Sequence, residues 1–263
     1  MTDNTLKLGY DAVHGSMTGS PTLRSLWRKH ATGEDFPDEF FHISFVTVKQ
    51  LEWMMDRLRV RTGDTLVDAG CGLGGPALWM AKNTGADLIG LDISSVAIDE
   101  ARARAARLGL AEHARFAVAS FDKTGLDSSS VDAIMSEDAI QYAPDKRAVM
   151  AEFARILRPG GRLVFAAFEI EPAHVTGLPV LGVDPVDDYR PLLQDAGFTV
   201  ETYLESPAWS SVVRDTYQSL LDSRDALAKE MGEVATFALC SELTMTLEAE
   251  PYRRRMLVAA TRN

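Results

Sequence analysis

The sequence predicts an α/β domain on a doubly wound, mostly parallel sheet, and three observations lead there. From Thr65 onward, short apolar runs alternate with helix-length segments, the pattern of strands joined by crossover helices. The first run, Leu66-Val67-Asp68-Ala69, passes straight into Gly70, Gly72, Gly74 and Gly75 and then the apolar helix start Pro76-Ala77-Leu78-Trp79-Met80. Glycines permit a tight turn and close approach of a ligand, and Pro76 suits a first helical turn, where its missing N–H costs nothing. Finally, no repeat, low-complexity tract or linker interrupts the 263 residues, so a single domain spanning 1–263 is expected.

Residues 1–60 read as a helical cap segment. A turn at Met17–Pro21 precedes a helix near Thr22–His30, and the loop Thr32–Pro37 leads to an amphipathic helix at Thr47–Leu58. There Val48, Leu51, Met54, Met55 and Leu58 recur at helical spacing, the stripe of a core-facing surface. Strands follow at Thr65–Ala69, Asp87–Asp92, Arg115–Ala119, Val131–Met135 and Arg162–Phe168. Ser94 or Ser95 caps a helix at Val96–Leu108, which Gly109 ends, and Pro159-Gly160-Gly161 stops another at Asp145–Leu157. Beyond these come a helix at Asp187–Ala196 ended by Gly197, a strand at Thr199–Leu204, two helices within 206–250, and a last strand at Met256–Thr261.

Composition narrows the partners. Lys and Arg number 27 against 38 Asp and Glu, a formal charge of −11 that argues against a nucleic acid. Two cysteines, Cys71 and Cys240, make no disulfide framework and suit a reducing compartment. The start Met1-Thr2-Asp3-Asn4-Thr5 lacks a signal-peptide pattern, and no apolar run nears the ~20 residues that span a membrane. The expectation is a cytoplasmic protein acting on a small molecule, without membrane or nucleic-acid partners and with room for a homo-oligomer. No spacing of His, Cys or carboxylates suggests a metal site.

Gly70, Gly72 and Gly75 also satisfy the dinucleotide pattern G-x-G-x-x-G. Asp68 separates the possibilities. A carboxylate beside the loop repels a diphosphate and attracts a ligand carrying a sulfonium and an ammonium, which points to S-adenosylmethionine. Asp92 ends the second strand at a distance suited to ribose hydroxyls, followed by Ile93. Ser120-Phe121-Asp122 follows the third strand, where an aromatic beside an acid can hold adenine. Glu137 follows the fourth strand, ahead of Tyr142, and Leu157-Arg158-Pro159-Gly160-Gly161 precedes the fifth.

Together these segments, over roughly Thr65–Phe168, resemble the class I S-adenosylmethionine-dependent methyltransferases of the small-molecule branch, of the bacterial specialised-metabolite type. The resemblance implies a seven-stranded Rossmann-like sheet of order 3-2-1-4-5-7-6 with strand 7 antiparallel. It implies S-adenosyl-L-methionine as cofactor and S-adenosyl-L-homocysteine as product. Asp68, Gly70, Gly72 and Gly74 would face the methionine portion, Asp92 the ribose, and Phe121 with Asp122 the adenine. Tyr10 and His42 match positions that contact the cofactor in relatives. The segment 206–250 would cap the acceptor pocket, and its Trp209, Tyr217, Met231, Phe237 and Met245 favour an apolar acceptor. Tyr142 stands where related phosphoethanolamine methyltransferases often carry a His.

Glu169 and His174 follow the fifth strand at the sheet edge where open α/β proteins bind ligands, so both are candidate bases, with Tyr142 and His14 as further proton-handling groups. Methyl transfer needs no protein nucleophile, which leaves Cys71 a packing role. The expected activity is methyl transfer to a small apolar or aromatic natural product, at O, C or N. A cofactor-binding regulator or repurposed cyclase is the alternative, and an NAD-dependent oxidoreductase, lacking any Tyr-x-x-x-Lys pair, a remote one.

Overall fold

The computed structural model describes residues 11–177 and 183–263. Seven strands form one sheet in the order β3-β2-β1-β4-β5-β7-β6. They are β1 Thr65–Ala69, β2 Asp87–Asp92, β3 Ala114–Val118, β4 Val131–Glu137, β5 Leu157–Ile170, β6 Phe198–Glu205 and β7 Arg253–Arg262. β1 to β5 run parallel, and β7 lies antiparallel between β5 and β6. The sheet order and the reversed last strand agree with the expectation.

In chain order the helices are α1 (residues 11–17), α2 Pro21–Trp27, α3 Val48–Leu58, α4 Gly75–Thr84, α5 Ser95–Arg107, α6 Lys146–Ile156, α7 Pro172–Val175, α8 Arg190–Asp195, α9 Trp209–Asp222, α10 Arg224–Met231 and α11 Glu233–Ala249. Their starts are chemically marked. Ser20, Thr47, Ser94 and Asp145 each accept the N–H three residues on, satisfying a helix-end donor. Leu51, Met54 and Leu58 bury the predicted stripe of α3.

Three boundaries differ for physical reasons. Segment 206–250 holds three helices rather than two, because Gly232 at φ +85 breaks the second from the third. The helix after Ser20 stops at Trp27 and relaxes into a π turn over Arg28–Thr32. β5 begins at Leu157, since Leu157 already pairs with Val131 before the irregularity at the Pro-Gly-Gly turn.

One apolar cluster under α3, α4 and α5 covers one face of the sheet, including Leu66, Ala133 and Met135, and another with α6 and α8 covers the opposite face, including Val67, Ile134 and Phe165. A third lies at the carboxyl ends of the strands. It joins Trp27, Phe45, Phe168, Trp209, Val213, Tyr217 and Leu239 from both helical segments. Residues of the N-terminal segment and of segment 206–250 therefore pack together in one cluster, the cap, on Phe168 and Ile170 of β5.

Candidate functional site

At the end of β1 the chain turns through Gly70, Gly72 and Gly74, with φ of +83, +49 and +74. L side chains rarely adopt this region. At Gly70 space forbids a side chain as well, since a Cβ would stand 2.5 Å from that of Ala139 and 3.2 Å from the Phe121 ring. Leu91 O receives the N–H groups of both Gly70 and Cys71, at 2.8 and 2.9 Å, which fixes the loop to β2. Asp92 then ties the loop to the next helix: its Oδ2 accepts from Gly72 N and its Oδ1 from Ser94 N, each at 2.9 Å.

Three carboxylates surround this turn. Asp68 and Glu137 occupy the sheet face of Leu66 and Met135, because side chains alternate along a strand. Both are buried, with Asp68 Oδ1 and Glu137 Oε1 lacking a hydrogen-bond partner among the described residues. Burial, and then the charge of Asp92, pushes Asp68 up to about 8. Burial followed by Asp68 raises Glu137 well above the carboxylate range. His42 also looks inward. Its Nδ1 accepts from Ser44 N at 3.1 Å while Nε2 has no partner, and burial beside Arg104 and Arg255 lowers it to about 3, so the ring is neutral. Cys71 sits among the same acids; burial and their charges raise its thiol, consistent with packing rather than nucleophilic chemistry.

Orphaned acceptors of negative character beside tight glycine turns fit a ligand bearing positive charge and hydrogen-bond donors, and repel a pyrophosphate. The residues therefore fit S-adenosylmethionine, which when bound supplies a methyl group on a cationic sulfur. The residues expected to face adenine are gathered here too: Ser120 Oγ donates to Asp122 Oδ1 at 2.7 Å, and Phe121 packs against Gly70. α1 lies over the loop, with Asp11 accepting from Ser94 Oγ and His14 Nε2 close to Gly72. Tyr10 lies outside the described residues.

The three expected catalytic residues are not brought together. Phe168 and Ile170 of β5 belong to the cap cluster, so Glu169 between them points to the opposite face. There the Tyr203 hydroxyl donates to it, and Arg254 Nη2 pairs with it at 2.7 Å. Glu169 is 2% exposed, away from the cap. That placement separates Glu169 from Tyr142 and the cap face, where the expectation as base had set it. His174, in α7, is exposed, stacks on Tyr252 at 3.7 Å between centroids and pairs with Glu171 at 3.0 Å, which makes it a surface residue rather than an orienting partner. Tyr142 does face the cap, where its hydroxyl donates to Glu242 Oε1 of α11 at 2.8 Å.

Sequence reasoning missed two arginines. Register places Arg255 opposite Phe168 and Arg253 opposite Ile170, both on the cap face of β7. Arg255 is fully engaged. Its Nε and Nη2 reach the two oxygens of Asp138 at 2.7 and 3.1 Å, and Nη1 donates to Gln50 Oε1 and Ser206 Oγ at 3.0 and 3.1 Å. Asp138 also accepts from Phe45 N at 2.7 Å, anchoring the N-terminal segment. Arg253 differs: it is 4% exposed, lies over the Phe168 ring at 4.0 Å, and its Nε and Nη1 have no partner. The available signal was the run Arg253-Arg254-Arg255 entering a strand otherwise apolar to Ala260, which puts its first and third members on one buried face.

Residues 67–165 match a methyltransferase domain family. Methyltransferase GfsG of Streptomyces halstedii is 32% identical over 196 residues, covering 70% of this chain and 69% of that protein. The 27-O-demethylrifamycin SV methyltransferase of Amycolatopsis mediterranei is 28% identical over 76% of each chain. In fold, the [4+2]-cyclase SpnF superposes with a TM-score of 0.76 at 18% identity, over 99% of this chain and 96% of that one. The cyclopropane synthase MmaA2 of Mycobacterium tuberculosis gives 0.72 at 17% identity, over 96% and 98%.

Proposed function

Because this chain belongs to the methyltransferase domain family, as a small-molecule methyltransferase using S-adenosylmethionine, we propose that its acceptor is a natural-product scaffold with an apolar or aromatic body, methylated at O, C or N. The carrying observation is the cap. Trp27, Phe45, Phe168, Trp209 and Tyr217 stand in ring contact at 5.4–6.2 Å between centroids, directly above the carboxyl end of β5. Flat apolar surfaces of this kind receive apolar ligands and exclude water from the transfer.

Displacement at a sulfonium carbon releases a neutral thioether, so the chain contributes chiefly by positioning and by keeping water out. Asp68, Glu137 and Asp92 hold the cationic end and the ribose, with Gly70, Gly72, Gly74 and Ile93 shaping the turn. Ser120, Phe121 and Asp122 hold the adenine, and His42 adds a neutral ring. In the acceptor half burial and Glu242 keep the Tyr142 hydroxyl protonated, and with its hydrogen given to Glu242 its oxygen accepts from a hydroxyl or amine of the methyl acceptor. The free thiols Cys71 and Cys240 favour a cytoplasmic setting.

A labelled-methyl assay with S-adenosylmethionine tests the acceptor. The panel sets phenols and polyketide-like alcohols against glycine, sarcosine and phosphoethanolamine. Label in the first group supports the reading; label confined to the second overturns it.

A further inference from the structure

Arg253 is a buried cation held in the cap whose Nε and Nη1 have no hydrogen-bond partner among the described residues. Two carboxylates lie within electrostatic reach, Glu242 and Asp138, together with the hydroxyls of Tyr142 and Tyr217. Both carboxylates are engaged elsewhere. Glu242 receives the Tyr142 hydroxyl at 2.8 Å, and Asp138 is taken by Arg255 and by Phe45 N. The contact made by Arg253 is with the Phe168 face at 4.0 Å, which fixes the plane of the guanidinium while its Nε and Nη1 stay buried and unbonded among the described residues. Two residues further along the same strand face, Arg255 shows what a structural arginine looks like here, with every nitrogen engaged. A guanidinium desolvated this far is costly to the fold unless something outside the fold meets it.

We propose that Arg253 is the acceptor-anchoring residue, donating its free N–H groups to a planar oxygen of the methyl acceptor, a carboxylate or a conjugated carbonyl, while the ring of Phe168 and the aromatic cap hold the acceptor's body. The inference rests on the acceptor reading above and adds a polar anchor to it. Arg253 acts by positioning. It places the methylated atom relative to the glycine loop and takes no proton. Nε with a neighbouring nitrogen matches the spacing of two oxygens, or of the two lone pairs of one, which a lysine cannot reproduce.

The test uses benzoate as the carboxylate probe and acetophenone as the neutral carbonyl probe, each titrated by ligand-observed NMR with and without saturating S-adenosylhomocysteine. Wild type is compared with Arg253→Met and Arg253→Lys. At least tenfold weaker binding to Arg253→Met is expected, with Arg253→Lys intermediate. Loss of benzoate alone assigns a carboxylate acceptor, and loss of both probes assigns a shared oxygen contact. Arg253→Met is also expected to melt higher than wild type, because it removes an unmet buried charge and nothing structural. Equal binding of both probes by wild type and Arg253→Met overturns the proposal, as does failure of wild type to bind either. A lower melting temperature for Arg253→Met also overturns it, by showing that the cation serves the core. Affinity for S-adenosylhomocysteine, measured separately, stays the same in all three proteins. Its absence from wild type would count against the cofactor site, while the probe titrations without it still decide the role of Arg253.

Discussion

The two halves of the strand edge are built on different principles. Around β1, β2 and β4, the cofactor half gathers Asp68, the glycine turn, Asp92 and Glu137 from one stretch of 70 residues, and backbone N–H groups fix the acids that are fixed at all. The cap half draws on Phe45, Tyr142, Phe168, Trp209, Glu242, Arg253 and Arg255, which meet only through long-range packing. Among the described residues, one half is left with unmet carboxyl oxygens and the other with an unmet guanidinium. That division suits a cationic donor on one side and an oxygen-bearing acceptor on the other, with the transfer between them.

The pair joining the halves should give the largest effect. Asp138 and Arg255 bind β4 to β7, and through Phe45 N and Gln50 they hold the N-terminal segment. Removing one partner strands a buried charge. Asp138→Ala is expected to lose about 3–5 kcal/mol of stability in urea unfolding. The double variant Asp138→Leu with Arg255→Met should recover most of it, because the stranded charge is then gone. Equal losses for single and double variants would mean that packing, and not charge, joins the halves.

Next comes a change confined to the cofactor half. Asp92→Ala removes the acceptor of Gly72 N and Ser94 N and the proposed ribose contact. A loss of about 1.5–3 kcal/mol corresponds to roughly 10–150-fold weaker S-adenosylhomocysteine binding by calorimetry. Binding of the Arg253 probes should be unchanged. Coupled losses at both sites would break the division between halves.

A third test reads protons. Asp68 is raised from 3.8 to about 8 by burial and then by Asp92. The folded chain therefore keeps a proton that the unfolded chain gives up, so this group's contribution to stability falls as pH rises from about 4 to 8 and is flat outside that window. A cationic ligand favours the charged carboxylate. S-adenosylmethionine binding should release up to one proton near pH 7, and affinity should tighten by less than tenfold per pH unit up to pH 8. Calorimetry in phosphate and Tris buffers measures the release, and Asp68→Asn should abolish it. Proton release that survives in Asp68→Asn would move the titration to Glu137.

Legibility followed the same division. Spacing within one strand–turn–helix unit and the alternation of elements carried the parallel sheet, the turn and the acids near it, because those features are local, whereas the strand order came from the family resemblance. Glu169 was misread because distance along the chain from the end of β5 says nothing of which sheet face a residue takes. Face alternates with every residue, and the decisive neighbours, Arg254 and Tyr203, come from β7 and β6. Arg253 and Glu242 were invisible for a related reason: their meaning depends on which partners are already engaged, which only tertiary contacts decide.

The smallest expected effect sharpens that lesson. If strand parity governs function at this edge, Glu169→Gln should leave turnover within about threefold of wild type on the acceptor found by the labelled-methyl panel, a change of ~0.6 kcal/mol in the barrier. The amide keeps the shape, loses the charge facing Arg254 and changes nothing on the cap face. A loss of about 1 kcal/mol in stability is expected instead, since the buried contact with Tyr203 weakens while Arg254, half exposed, remains screened. Tyr142→Phe supplies the contrast, because its hydroxyl lies on the cap side; loss of that oxygen, and of the partner of Glu242, should slow turnover roughly tenfold or more. A hundredfold loss in Glu169→Gln with Tyr142→Phe unaffected would return the base to β5 and invert the comparison between the two faces.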